Sequence, residues 1–216
     1  VMIPGNTPLL TSTGYQTVAA LVGQETQVWN GHDWETTIPY AAGAQPLHRV
    51  WLSDGTYLDC TPIHTFIMQP TGTQVSSRKM VSLLSPGERL ADFDMPSLAN
   101  AEALPKSIID SLGKTIIDSE GSRIVVHLGT NKQAANLRMM LTLCGCHARI
   151  KERRLDINYD DTYRLGYANR MPDRSGRKSI QVVEVQDLHR TEPTFGIAMP
   201  RARTATFAGI VTSDCG

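Results

Sequence analysis

Apolar positions in the first third of the chain come in short runs of β-branched and aromatic residues, broken by turn signals. Thr17 to Val22, Thr26 to Trp29, Leu47 to Leu52, Thr56 to Cys60 and Thr65 to Met68 are such runs, and Gly14, Gly23, Asn30-Gly31, Gly43 and Asp54-Gly55 punctuate them. The pattern predicts strands. Ser53-Asp54-Gly55 between two of these runs predicts a hairpin, because Asp-Gly supplies the positive φ that a tight primed turn needs. The middle of the chain differs. Pro86-Gly87 and Pro96 mark loops, Pro105 to Leu112 reads as a short helix and Arg123 to Leu128 as a buried strand. From Thr130 to Cys144 the residues Ala134, Leu137, Met140, Leu141 and Cys144 recur at helical spacing, Thr130 and Gln133 form a capping-box pair, and Gly145 fits the stop. Strands are expected at His147 to Lys151, Leu155 to Asn158 and Thr162 to Tyr167. After a loop at Pro172 to Gly176, short β runs resume at Ile180 to Val185, Thr194 to Met199, Thr204 to Phe207 and Ile210 to Thr212. A β pattern that leaves and returns predicts one β-domain built from both ends of the chain. A compact α+β insert would then stand on a surface loop, where insertion is tolerated.

Composition narrows the function classes. The 216 residues carry 21 basic and 21 acidic side chains, so no electrostatic footprint of a nucleic-acid or anionic-membrane partner is expected. No apolar run approaches the roughly 20 residues that span a bilayer, and no basic, apolar leader precedes the first strand. The four cysteines, Cys60, Cys144, Cys146 and Cys215, are too few and too irregular for a disulfide framework, which leads us to expect reduced thiols in a cytoplasmic setting.

Three segments carry candidate chemistry. In Cys60-Thr61-Pro62-Ile63-His64 a hydroxyl and an imidazole three residues apart can converge on one peptide, the hydroxyl meeting a carbonyl oxygen and the imidazole moving a proton to or from the amide nitrogen. The alternative is a surface histidine beside a proline turn. Cys144-Gly145-Cys146-His147 has the look of a metal half-site, but no second Cys/His pair completes it and Cys144 extends an apolar helix face, so neither a metal nor a cofactor is expected. Met139-Met140 reads as core. The stretch Ala208 to Gly216 is an apolar strand running into a small polar cluster that ends on the thiol of Cys215.

Together these segments resemble the inteins, self-excising domains of protein splicing whose Hint fold, shared with hedgehog autoprocessing domains, is a mostly β, horseshoe-like structure. Met2-Ile3-Pro4-Gly5-Asn6-Thr7 through Gly14 resembles the opening motif, a nucleophile followed by x-x-Gly-Asp-Thr. Leu52 to Phe66 resembles the second motif with its Thr-x-x-His, and Thr194 to Gly209 and Ile210 to Cys215 resemble the two closing motifs. The wording of Val28 to Trp34 and Leu52 to His64 is most similar to inteins of ribonucleotide reductases, from phages or bacteria. The resemblance implies a splicing domain at 2–70 and 180–214 and an insert at 71–179. Residue 1 and residues 215–216 would be flanking extein positions.

Roles follow residue by residue from the same resemblance. Met2 falls on the first nucleophile, Thr61 and His64 on the pair that polarises and protonates the Val1–Met2 peptide, and Cys215 on the thiol that accepts the acyl group. Asp214 falls on the terminal asparagine that normally cyclises, Ser213 on the penultimate position, and Gly196 and Arg203 on the aspartate and histidine of the third motif. The departures imply a blocked precursor. A thioether has no proton to lose and cannot carry out the acyl shift, and a carboxylate lacks the amide nitrogen that closes a succinimide. Gly196 cannot relay protons, and Arg203 can act only as a cation or donor. Direct attack by Cys215 on the Val1–Met2 bond, the route of some members lacking a first nucleophile, is the variant route. The insert lacks the LAGLIDADG nuclease motif and reads as a degenerate endonuclease remnant. The expected partners are the chain's own exteins, in a monomer that binds no nucleic acid and no membrane and acts once. The competing readings are a Cys/His hydrolase using Cys215 and His64, and a non-catalytic β-rich interaction module in which Thr61 and His64 lie far from Cys215.

Overall fold

A computed structural model of the chain describes residues 2–53, 56–72, 77–93, 96, 109–110, 114–117, 124–143, 148–157 and 180–215. It divides into two compact units, one drawn from 1–53, 57–94 and 179–216 and the other from 54–56 and 95–178.

Twelve of the described strands build the first unit: β1 (Ile3–Pro4), β2 (Pro8–Thr11), β3 (Gly14–Thr17), β4 (Thr26–Trp29), β5 (Trp34–Thr37), β6 (Tyr40–Leu52), β7 (Tyr57–Cys60), β8 (Thr65–Met68), β9 (Ser77–Met80), β14 (Val182–Gly196), β15 (Thr204–Phe207) and β16 (Ile210–Ser213). One sheet has the order β1-β14-β6-β7; the other runs β5-β4-β2-β15-β16-β8-β9, with β3 paired to β2. Both ends of the chain therefore lie in the same sheets as the sequence pattern requires, with β1 on β14 and β2 on β15. β15 and β16 are buried at every position, which is why they read as continuous runs without alternation. Their threonines keep polar atoms satisfied inside the core: Thr206 Oγ1 donates to the Trp29 carbonyl at 3.0 Å, and Thr204 Oγ1 donates to that of Asn30. Phe66 and Phe207 are the largest fully buried side chains and sit in one apolar cluster with Ile3, Leu9, Leu58 and Val182.

The structure differs from the pattern in three places. Val18–Leu21 is a 3-10 turn, not a strand; its two buried residues are three apart, the period of that helix, so both face the core at once. β6 and β14 are far longer than the apolar runs within them. They form an antiparallel ribbon of 13 and 15 residues in which Tyr40 to Pro46 and Gln186 to Pro193 are exposed or half-buried while Thr194 and Gly196 are buried, so an apolar run marks only part of each strand. Residues 77–93 also belong to the first unit, although the pattern groups them with the insert: β9 pairs with β8, and Val81, Leu84 and Leu90 enter the core.

The second unit contains β10 (Lys114–Ile117), β11 (Ile124–His127), α1 (Asn131–Leu143), β12 (Ala148–Lys151) and β13 (Arg154–Ile157). The sheet order is β10-β11-β13-β12, and the helix contributes Ala134, Leu137 and Leu141 to a core with Ile124, Val126 and Leu155. The capping box at its start is complete: Gln133 N–H donates to Thr130 Oγ1 and Thr130 N–H donates to Gln133 Oε1, each at 3.1 Å. The expected strand at 162–167, most of the expected helix at 105–112, Cys144 and Cys146 lie outside the described residues, as do Asp54 and Gly55. β6 and β7 pair antiparallel with Trp51 opposite Tyr57, one residue away from the register of a two-residue turn at 54–55. Among the described residues no helix is long and apolar enough to cross a membrane.

Candidate functional site

The turn after β7 presents Thr61, and backbone hydrogen bonds fasten it to Met2 in both directions. Met2 N–H donates to Thr61 Oγ1 at 3.0 Å, and Thr61 N–H donates to the Met2 carbonyl at 2.9 Å. The hydroxyl thus accepts from the amide nitrogen of the Val1–Met2 peptide; the carbonyl of that peptide belongs to Val1, which lies outside the described residues.

His64 follows in the same turn, its N–H donating to the Thr61 carbonyl at 3.0 Å. Its ring is fully buried, edge-on to Phe66 and Phe207. Nε2 lies 2.7 Å from Thr212 Oγ1, and the Thr212 hydroxyl donates to the Ser213 carbonyl at 3.2 Å. With the hydroxyl proton so committed, Nε2 is the donor of that pair and carries the ring proton. Nδ1 then holds a free lone pair and has no hydrogen-bond partner among the described residues. Burial pushes the histidine's pKa down to about 3, so the ring is a neutral base through the physiological range.

That burial makes a stability prediction. An unfolded chain takes up a proton at His64 near pH 6.5, whereas the folded chain resists it down to about 3. The stabilisation is complete above pH 6.5 and is lost as pH falls toward 3. Denaturant unfolding between pH 7 and pH 4 is expected to show declining stability in the parent chain and a flatter profile in His64→Gln. Equal slopes would show that His64 does not titrate in this way.

At the other end, Asp214 is buried and held by the turn that follows β14. Its N–H donates to the Arg203 carbonyl at 3.0 Å, Oδ2 accepts from Met199 N–H at 2.7 Å, and Arg203 Nε stands 3.6 Å from the same oxygen. Arg203 has a φ of 61°, a left-handed conformation at the end of this turn, closed by its N–H donating to the Met199 carbonyl. β5 braces the turn from outside. The buried Glu35 carboxylate accepts from the N–H groups of Arg201 and Ala202 at 3.4 and 3.1 Å, Arg201 pairs with Asp33 at 2.9 and 3.0 Å, and Thr37 Oγ1 donates to the Ala198 carbonyl at 2.6 Å. Ser213 Oγ pairs with Thr65 Oγ1 and accepts from Arg78 Nη1 at 2.8 Å; the same guanidinium nitrogen donates to the Arg203 carbonyl at 3.1 Å.

Cys215 is also buried, its N–H donating to the Ile197 carbonyl at 2.7 Å, and burial with the neighbouring Asp214 charge pushes its thiol up to about 11. At neutral pH only about one molecule in 10⁴ carries the thiolate. Neither ring nitrogen of His64 activates it, Nε2 being engaged by Thr212. Gly196, at the end of β14, has no side chain to relay a proton; a Cβ there would lie 2.8 Å from Met2 Sδ and from Tyr40 Cζ and Oη. The Tyr40 hydroxyl donates to the Cys215 carbonyl at 3.0 Å.

Met2, Thr61, His64, Ser213, Asp214, Cys215, Gly196 and Arg203 are thereby brought into one connected neighbourhood. Thr61 is bonded to Met2, Met2 abuts Gly196, Gly196 abuts Tyr40, and Tyr40 is bonded to Cys215. Sequence reasoning missed Tyr40, Glu35, Arg78 and Thr212. Arg78 lies within the span assigned to the insert, and Tyr40 follows Ile38-Pro39 outside every apolar run, so only the strand register exposes them. Among the described residues no group of three or more His, Cys, Asp or Glu side chains converges as a metal site would require.

No family model matches the sequence. Over 105 residues, 43% of the chain, it is 30% identical to the ribonucleoside-diphosphate reductase large subunit of Invertebrate iridescent virus 6, and the chain spans 11% of that protein's length. Among solved structures it is similar to a mutant of an Ssp DnaB mini-intein variant, with a TM-score of 0.54 at 13% identity over 100% of this chain and 99% of that one. It is similar also to a DnaB intein from Synechocystis sp. PCC 6803, with a TM-score of 0.54 at 9% identity and the same coverage. At these identities the likeness shows the fold: a mostly β structure of the intein type.

Proposed function

We propose that this chain, whose fold is that of the inteins, is a protein-splicing domain arrested by two of its own residues. The observation that carries the reading is the reciprocal bonding of Met2 to Thr61 beside a buried, neutral His64, with Asp214 and Cys215 held in the same neighbourhood. In such a site His64 Nδ1 takes the proton from a nucleophile at position 2. The nucleophile attacks the preceding carbonyl carbon, the C–N bond breaks, and the proton passes to the departing amine. Cys215 then accepts the acyl group, and a side-chain amide at position 214 closes on its own carbonyl to free the domain. Met2 offers no proton and Asp214 offers no amide, so the two ends are silenced independently. The splicing domain comprises 2–93 and 180–214, and the segment between is an insert. The flanks are exteins, and the match to a viral reductase subunit supports a ribonucleotide reductase as host.

The hydrolase reading needs a base at Cys215, and the His64 contacts supply none. The chain, extended by long flanks at both ends and incubated for days at neutral pH, is expected to keep a single intact mass and to leave added peptide esters unhydrolysed. Joined flanks would contradict the arrest, a branched isomer of unchanged mass, seen by its second N-terminus, would show that direct attack by Cys215 bypasses Met2, and ester turnover would favour the hydrolase.

A further inference from the structure

Tyr40 and Gly196 are direct partners across the β6/β14 ribbon, at the point where it reaches both candidate junctions. The place where a side chain at 196 would begin is filled from two sides: Met2 Sδ and Tyr40 Oη each lie 2.8 Å from it. The two atoms are therefore no more than twice that distance apart. From this position the phenol reaches on and donates to the Cys215 carbonyl at 3.0 Å. One side chain thus stands beside the residue at the first-nucleophile position and anchors the residue that carries the acceptor thiol, and the missing Cβ at 196 leaves room for it.

We propose that Tyr40 is a positioning residue for acyl transfer between position 2 and Cys215, its hydroxyl fixing the Cys215 main chain so that the thiol is presented to the acyl group. This rests on the splicing reading above. In the transfer, Cys215 Sγ attacks the thioester carbonyl carbon. The bond from that carbon to the Cys215 sulfur forms, the bond to the position-2 sulfur breaks, and the proton of the Cys215 thiol ends on the released position-2 thiol. Tyr40 exchanges no atoms. It remains a donor throughout, since burial, with the neighbouring Asp214 charge adding to it, raises its phenol above the ordinary value. Without the hydroxyl, the main chain of Cys215 keeps, among the described residues, the Ile197 carbonyl as its hydrogen-bond partner, and that bond does not restrain the peptide plane beyond it.

The test uses the full chain with flanks and Met2→Cys, in which Asp214 halts the reaction at the branched species. Two rates are read: thiol-induced cleavage at the 1–2 bond by intact mass, and formation of the branch, an isomer of unchanged mass, by its altered gel mobility and the second N-terminus it exposes. Adding Tyr40→Phe, which keeps the ring against Gly196, is expected to slow branching about tenfold while leaving thiol cleavage within about twofold, the cost of one hydrogen bond to a positioned group. Gly196→Ala in the same background drives a methyl into the phenol and should give the same selective loss; combined with Tyr40→Phe the effects should not add. Unchanged branching in Tyr40→Phe, or equal loss of both rates, overturns the proposal and leaves the splicing reading standing. Absence of thiol cleavage in the Met2→Cys parent overturns both.

Discussion

Replacement of Met2 by cysteine, in a chain extended by an upstream flank, is expected to make the 1–2 peptide bond cleavable by a small thiol where the parent bond is inert. The machinery for that reaction is in place. The amide nitrogen to be released is held by the Thr61 hydroxyl, the carbonyl of residue 2 is tied to the Thr61 N–H, and His64 is neutral with Nδ1 free to take a thiol proton. Methionine occupies the position with a sulfur that cannot ionise; cysteine restores a nucleophile without adding bulk. The new thioester exchanges with external thiol and sheds the upstream flank. Adding His64→Ala is expected to slow this cleavage by about 10² to 10⁴-fold, the range of a positioned acid–base group. Gel or mass analysis over a thiol titration measures both rates, and a folding check by circular dichroism separates chemistry from collapse, because the cavity left by the buried ring is itself destabilising.

The second large effect is expected from Asp214→Asn. Asparagine is nearly isosteric, and its amide oxygen can replace Oδ2 as acceptor for the Met199 N–H. The amide nitrogen is then available to attack the residue's own carbonyl carbon. The Nδ2–C bond forms, the bond to the Cys215 nitrogen breaks, and a proton moves from the amide to the departing amine, leaving a succinimide. Reaction between groups already held together gains from proximity, and release of the downstream flank is expected to exceed that of the parent by at least about 10²-fold without added thiol. Mass spectrometry distinguishes the succinimide from its hydrolysed form by one water. The buried carboxylate now present pairs at 3.6 Å with Arg203, whose half-exposed guanidinium stays solvated when the charge is removed, so loss of that contact should cost little stability.

How much of this was legible in sequence depends on burial. β8, β15 and β16 lie in the core and announced themselves as apolar or threonine-rich runs. The Tyr40–Pro46 half of β6 is exposed or half-buried, so nothing in its hydrophobicity marks it, and Tyr40 at its start escapes the pattern although it bonds the Cys215 carbonyl. Thr61 and His64 are legible through their spacing, but the hydrogen bond that Thr61 accepts from Met2 is not, because it follows from a long-range contact. Asp214 read as a simple loss of function. The structure adds that it is a fully integrated residue, capped by the Met199 N–H in a turn that Glu35 holds from β5. Arg78 was hidden by an expected boundary at 71, and the pairing of β9 with β8 brings it to Ser213.

The central claim is that the site is complete apart from Met2 and Asp214. It is tested most directly by intact-mass analysis of the chain carrying both Met2→Cys and Asp214→Asn between two flanks of distinct mass. The expected result is a new species in which the upstream flank, through Val1, is joined to Cys215 and the downstream flank, together with the released 2–214 segment ending in a succinimide. A folded double variant that retains the precursor mass, with no thiol-sensitive bond and no joined flanks, would contradict it.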